Sequence, residues 1–91
     1  MDAYNLIVEE LMNHKSLAAL IFLIDHGREL EFKVNGKEYF SSRDGSQKYV
    51  SLWKNKTEQS FDSVLAMLEN ASIEEQCFLA AWEQAELEYL L

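Results

Sequence analysis

The dipeptide Asn35-Gly36, set between Leu30-Glu31-Phe32-Lys33-Val34 and Lys37-Glu38-Tyr39-Phe40, constrains this chain more than any other feature. The tightest hairpin turn needs left-handed backbone at both central positions, and Asn followed by Gly adopts it at least cost. Leu30, Phe32 and Val34 alternate with Glu29, Glu31 and Lys33, the period of a strand with one buried face. A two-residue turn pairs Val34 with Lys37 and Phe32 with Tyr39, which predicts an aromatic cross-strand contact on one face and leaves Phe40 on the other. Arg43-Asp44-Gly45-Ser46 reads as the next turn, Lys48 to Trp53 as a third strand, and Lys54-Asn55-Lys56 as a turn into a short fourth strand near Thr57 to Phe61. The expectation is an antiparallel meander of three or four strands.

Helical spacing flanks the meander. Tyr4, Ile7, Val8, Leu11 and Met12 recur one turn apart behind Asp2, a natural cap. Asn13-His14-Lys15-Ser16 interrupts that pattern, so Ser16 either caps a second helix or lies within one continuous helix whose second half, Leu17 to Ile24, is apolar all round. Gly27 suits the left-handed position that follows a helix C-terminus. After Phe61, Asp62 or Ser63 can cap a short helix carrying Val64, Leu65 and Leu68. Ser72-Ile73-Glu74-Glu75 then fits the capping box, and no Gly or Pro follows before Leu91, which predicts a long terminal helix. Projected as a helix, residues 73–91 place Phe78, Ala81, Trp82, Ala85 and Tyr89 on one core-facing stripe. The predicted fold class is thus α+β, with that helix packed on one sheet face of a single domain spanning residues 1–91.

At 91 residues, nearly half of them hydrophobic, the chain can bury one core. The single cysteine, Cys77, cannot form an internal disulfide and reads as a buried thiol, which together with the absence of a basic, cleavable N-terminus points to a cytoplasmic setting. The longest apolar run is eight residues, Leu17 to Ile24, well short of the roughly 20 that cross a bilayer, so no membrane association is expected.

Charge is distributed unevenly. The formal net charge is -8; residues 1–56 contain every Lys and Arg together with half of the acids, whereas residues 57–91 contain acids alone. Such a field repels nucleic acid and attracts basic surfaces, so direct nucleic-acid binding is not expected. His14, His26 and Cys77 have no ligand spacing, which predicts no metal. The three glycines are dispersed one per turn, which gives no phosphate loop and no cofactor. No pair of carboxylates is singled out for acid and base work, so no catalytic residue is assigned and a non-enzymatic role is expected.

On the predicted terminal helix, Glu75, Gln76, Glu83 and Glu86 form a polar stripe without a compensating Lys or Arg. A docking surface made of Asp62, Glu69, Glu74, Glu75, Glu83, Glu86 and Glu88 would suit a protein partner with a basic surface, provided that these side chains face outward together. The rival row Ile73, Ala80, Leu87 and Leu91 would instead support self-association, which leaves monomer and homodimer both open.

Leu30 to Phe40, Trp53 with Gln59-Ser60-Phe61-Asp62-Ser63, and the ending Glu86-Leu87-Glu88-Tyr89 resemble short acidic proteins of phages and mobile elements of Gram-positive bacteria. That resemblance covers about two thirds of the chain and carries over no functional residue. It implies a partner class: some members of the group are similar to anti-CRISPR proteins, which present carboxylates where the basic channel of a CRISPR nuclease expects DNA. The sequence thus yields two readings, a non-catalytic, phage-type inhibitor acting as a DNA mimic on a nucleic-acid enzyme, and a small assembly protein that self-associates through its C-terminal helix.

Overall fold

A computed structural model describes residues 2–43 and 48–91. The chain opens with two helices, α1 (Ala3–His14) and α2 (Leu17–Asp25), each started by a side-chain cap. The Asp2 carboxylate accepts from the Asn5 N–H at 2.8 Å, and the Ser16 hydroxyl accepts from the Ala19 N–H at 3.2 Å. Between them Lys15 takes left-handed backbone, φ 53°, which breaks the helix and settles the alternative left open by the sequence. Helix α2 ends as expected at Gly27, φ 86°: Arg28 N–H donates to the Leu23 carbonyl and Gly27 N–H to the Ile24 carbonyl, the paired bonds of a Schellman motif.

Strands β1 (Leu30–Val34) and β2 (Lys37–Arg43) form the predicted hairpin, with Asn35 at φ 52° and Gly36 at φ 78°. Its register pairs Val34 with Lys37 and Phe32 with Tyr39, whose rings stack at 5.7 Å. The turn expected at Arg43–Ser46 falls, from Asp44 onward, outside the described residues. Strands β3 (Val50–Lys54) and β4 (Thr57–Phe61) complete the meander, with Asn55 in left-handed backbone at their turn. Helix α3 (Val64–Asn70) follows, capped by Ser63.

The long terminal helix is not formed. Ser72 to Cys77 is a tight hairpin of two short strands, β5 (Ser72–Ile73) and β6 (Gln76–Cys77), turning at Glu74 and Glu75 in left-handed backbone. One helix of five residues, α4 (Phe78–Trp82), comes next, and the chain then runs back as β7 (Glu86–Leu90), antiparallel to β1. The sheet order is β4-β3-β2-β1-β7.

Helix propensity in this region lost to tertiary pairing. Pairing Glu86–Leu90 against β1, through a bulge that turns Leu87 and Leu90 to the core and Tyr89 outward, satisfies a backbone edge and packs both leucines against the core. At the end of α4 the Lys15 ammonium donates to the carbonyls of Trp82, Glu83 and Ala85 at 3.0, 2.9 and 3.2 Å, partnering carbonyl groups left over where the helix stops. The expected core stripe holds for Phe78, Ala81, Trp82 and Ala85, which are buried, but not for Tyr89, which is 62% exposed. Cys77, expected to be buried, is exposed at the start of α4.

Every helix–sheet contact in the core is made on one sheet face. Leu30, Phe32, Val34, Tyr39, Val50 and Leu52 meet Leu20, Leu23 and Ile24 of α2, Val64 and Met67 of α3, and Phe78 and Trp82 of α4. No helix among the described residues is long and apolar enough to cross a membrane.

Candidate interface on the open sheet face

Alternation along each strand decides which side chains the core leaves out. With Leu30, Phe32, Val34, Tyr39, Ser41, Val50 and Leu52 turned inward, Glu31, Lys33, Glu38, Phe40, Ser42, Ser51, Trp53 and Glu58 project from the opposite face. The register aligns part of this set into one row across the whole sheet. Glu58 on β4 opposes Trp53 on β3, Trp53 opposes Phe40 on β2, Phe40 opposes Glu31 on β1, and Glu31 opposes Tyr89 on β7. Neighbouring strands lie about 4.8 Å apart, so each ring in the row has a carboxylate or a second ring within side-chain reach.

Of the three rings in this row, Phe40 and Trp53 are half-buried and Tyr89 is largely exposed. Phe40, Trp53 and Tyr89 neither belong to the core cluster nor pack against it. Among the described residues, the rings that stack on one another or sit under a cation are those of Tyr4, Phe22, Phe32, Tyr39, Phe78, Trp82 and His26, with none from the open face.

A second row carries charge. Lys33 lies opposite both Glu38 and Glu86, and a bulge in β7 brings Glu88 to it as well. The Lys33 ammonium is shared between Glu38 at 3.4 Å and Glu88 at 3.5 Å. The neighbouring Glu88 carboxylate, and then Glu38, hold the Lys33 pKa above its ordinary value. Glu88 is itself pushed above the usual carboxylate range, because a proton on it can be hydrogen-bonded by Glu38. One lysine thus serves two crowded carboxylates. Glu31 and Glu58 have no ion-pair partner among the described residues. The buried Ser51 hydroxyl donates to Glu58 and orients it.

No family model, curated protein or solved structure matches this chain.

The residues proposed from sequence are dispersed by the loss of the terminal helix. Glu86 and Glu88 lie on β7 at the open face. Asp62 is in the β4–α3 connection, Glu69 near the end of α3, Glu74 and Glu75 at the β5–β6 turn, and Glu83 at the end of α4. The stripe Glu75, Glu83, Glu86 does not exist as a surface. Two of the acids are also engaged by cations from the sheet, Glu88 by Lys33 and Glu74 by Lys54. The self-association row is broken too: Ile73 is buried in the core, Leu87 packs against it from β7, and only Ala80 and Leu91 are exposed. The open face was missed because it draws on Glu31, Phe40, Trp53 and Glu58, which are four strands' worth of residues. The predicted exit of Phe40 on the face opposite Phe32 was the available signal.

A second concavity, of about 410 Å³, lies at the turn end of the sheet and is lined by Asn35, Tyr39, Lys54, Thr57, Gln59, Ser72, Glu74 and Glu75. Its charged groups bind one another. Glu74 accepts from the Lys54 ammonium and from the Tyr39 hydroxyl, the latter at 2.6 Å. The Lys54 bond, then the Tyr39 bond, hold the Glu74 carboxyl below the usual carboxylate range. That same carboxylate raises the Lys54 pKa, and burial raises that of Tyr39. All three shifts lead away from neutrality, so this cluster holds its protons fixed rather than exchanging them. The Gln59 carboxamide bonds both the N–H and the C=O of Ser72, which ties the β5–β6 hairpin to the β4 edge. No cluster of His, Cys, Asp or Glu that could hold a metal occurs among the described residues.

Proposed function

We propose that this chain is a non-catalytic binding protein whose open sheet face docks on a basic surface of a protein partner. The observation that carries the reading is the row Glu58, Trp53, Phe40, Glu31, Tyr89, aromatic side chains held out of the core and interleaved with carboxylates. Apolar rings give contact area and affinity, whereas unpaired carboxylates give steering and choice of partner. Glu38, Glu86 and Glu88 extend the negative field along the adjoining row, against Lys33 alone.

The partner is a protein with an exposed basic groove or patch, the kind of surface by which nucleic-acid enzymes hold their substrates. Inhibition of such an enzyme by occupying its basic site is the role that this surface fits. It rests on the sheet rather than on the C-terminal acids as a group. A second copy of the chain is a poor occupant, because face-to-face association would set like charges opposite each other.

A matched pair of charge reversals tests the reading. Glu31→Lys, Glu58→Lys and Glu86→Lys together change net charge by the same amount as Glu69→Lys, Glu75→Lys and Glu83→Lys together, but only the first set lies on the face. With a fluorescein-labelled octalysine peptide at about 10 mM salt, where the screening length is about 30 Å, the first set should abolish binding and the second should weaken it several-fold at most. Equal loss from both sets would mean that net charge alone attracts the peptide, and would overturn the assignment of a site.

A further inference from the structure

We infer that the open face recognises arginine rather than lysine, so that the partner's docking element is an arginine-bearing segment; this deepens the docking reading above and rests on it. Lysine is a compact, strongly hydrated point charge and gains chiefly from a nearby carboxylate. Arginine presents a planar fork that can pair bidentately with a carboxylate while its flat face stacks on an aromatic ring. A surface built for lysine gains chiefly from its carboxylates. This one repeats a different unit, a ring with a carboxylate on the adjacent strand: Trp53 beside Glu58, Phe40 beside Glu31, and Tyr89 beside the same Glu31.

Two further observations fit a guanidinium. First, among the described residues Glu31 and Glu58 of the ring-bearing row have no cation, nor has Glu86 in the next row, where Glu38 and Glu88 share Lys33. Two of these three open acceptors are thus beside the rings. Second, Ser51, which is 6% exposed, donates its hydroxyl to Glu58, fixing a carboxylate that would otherwise rotate freely on an exposed strand. Fixing the acceptor lowers the ordering cost of a two-pronged bond.

Labelled octaarginine and octalysine peptides, equal in length and charge, separate this inference from the docking reading. At about 10 mM salt octaarginine should bind about ten-fold more tightly than octalysine. Trp53→Leu and, separately, Phe40→Leu should each shrink that ratio towards one, octaarginine affinity falling more than octalysine affinity, since the carboxylates remain. Unfolding midpoints and circular dichroism of both variants confirm that each is folded. Equal affinity for the two peptides in the unaltered chain, or an undiminished ratio in both folded variants, overturns arginine recognition and leaves acidic docking standing. Failure of both peptides to bind overturns both.

Discussion

Lys15 and Trp82 are hydrogen-bonded to each other in both directions. The Lys15 ammonium donates to the Trp82 carbonyl at 3.0 Å, and the Trp82 indole N–H donates to the Lys15 carbonyl, also at 3.0 Å. The two residues are 67 positions apart, so this exchange ties the break between α1 and α2 to the point where α4 gives way to β7. It also explains why a lysine occupies a left-handed position that usually favours glycine. Lys15→Met should cost about 1–3 kcal/mol by removing three hydrogen bonds, two of them partly buried, although it keeps much of the stem. Trp82→Phe should cost a comparable amount, and the double variant should cost less than the two losses added, because both remove one shared arrangement. Urea unfolding of the four proteins measures this directly.

The turn at Glu74 and Glu75 offers a gain in stability. Both residues hold left-handed backbone, φ 50° and 66°, where a side chain costs about 1–2 kcal/mol per residue. Glu75→Gly should therefore raise stability by about 1 kcal/mol. Glu74→Gly relieves the same backbone cost but forfeits the bonds from Lys54 and Tyr39, so its gain should be smaller or reversed. Thermal midpoints of the two variants, measured side by side, check the ordering.

Acid titration should separate two glutamates of opposite sign. The folded-state pKa of Glu74 is depressed, so its contribution is present above the ordinary carboxylate pKa and is lost as pH falls through the folded value. Glu74→Gln should lower stability at neutral pH, with the difference closing in acid. Glu88 is raised by Glu38, so its ionisation opposes folding at neutral pH, and that penalty vanishes as pH falls through its folded value. Glu88→Gln should raise neutral-pH stability, and this difference too should close in acid. Urea midpoints collected from neutrality down to acid pH would show both trends; identical pH profiles for the two variants would contradict the assignment.

The two sheet faces should respond very differently to truncation. Phe32→Ala, in the core among Tyr39, Phe78 and Trp82, should cost about 3–5 kcal/mol. Tyr89→Ala, from a largely exposed ring, should stay within about 0.5 kcal/mol. Comparable losses at the two sites would show that the open face is covered by something within the fold.

How much of this was legible in the sequence depends on where the signals were local. The hairpin at Asn35-Gly36 carries its own turn chemistry, and the caps at Asp2, Ser16 and Ser63 and the stop at Gly27 are similarly self-contained. Residues 72–91 mislead because a capping box, good helix formers and the absence of breakers coincide. The competing signals were quieter: polar and apolar residues mixed along Glu86-Leu87-Glu88-Tyr89-Leu90, whose facing is set by a bulge with no local marker, and a β1 strand that would otherwise leave an edge exposed beside Phe32. Strand pairing between residues so far apart has no local marker, and the aromatic–acid row exists only once β7, β1, β2, β3 and β4 are in register. The uneven charge was visible in composition, but its arrangement was not, since Glu74 and Glu88 are answered by lysines from the meander.

The central claim is that one sheet face, and not the acidic chain as a whole, receives a cationic partner. Amide chemical shifts recorded by two-dimensional NMR during titration with octaarginine test it most directly. The largest shifts should fall on Glu58, Trp53, Phe40, Glu31 and Tyr89, with Glu69, Glu75 and Glu83 nearly unmoved. Shifts centred on those three, or spread evenly over the surface, would contradict it.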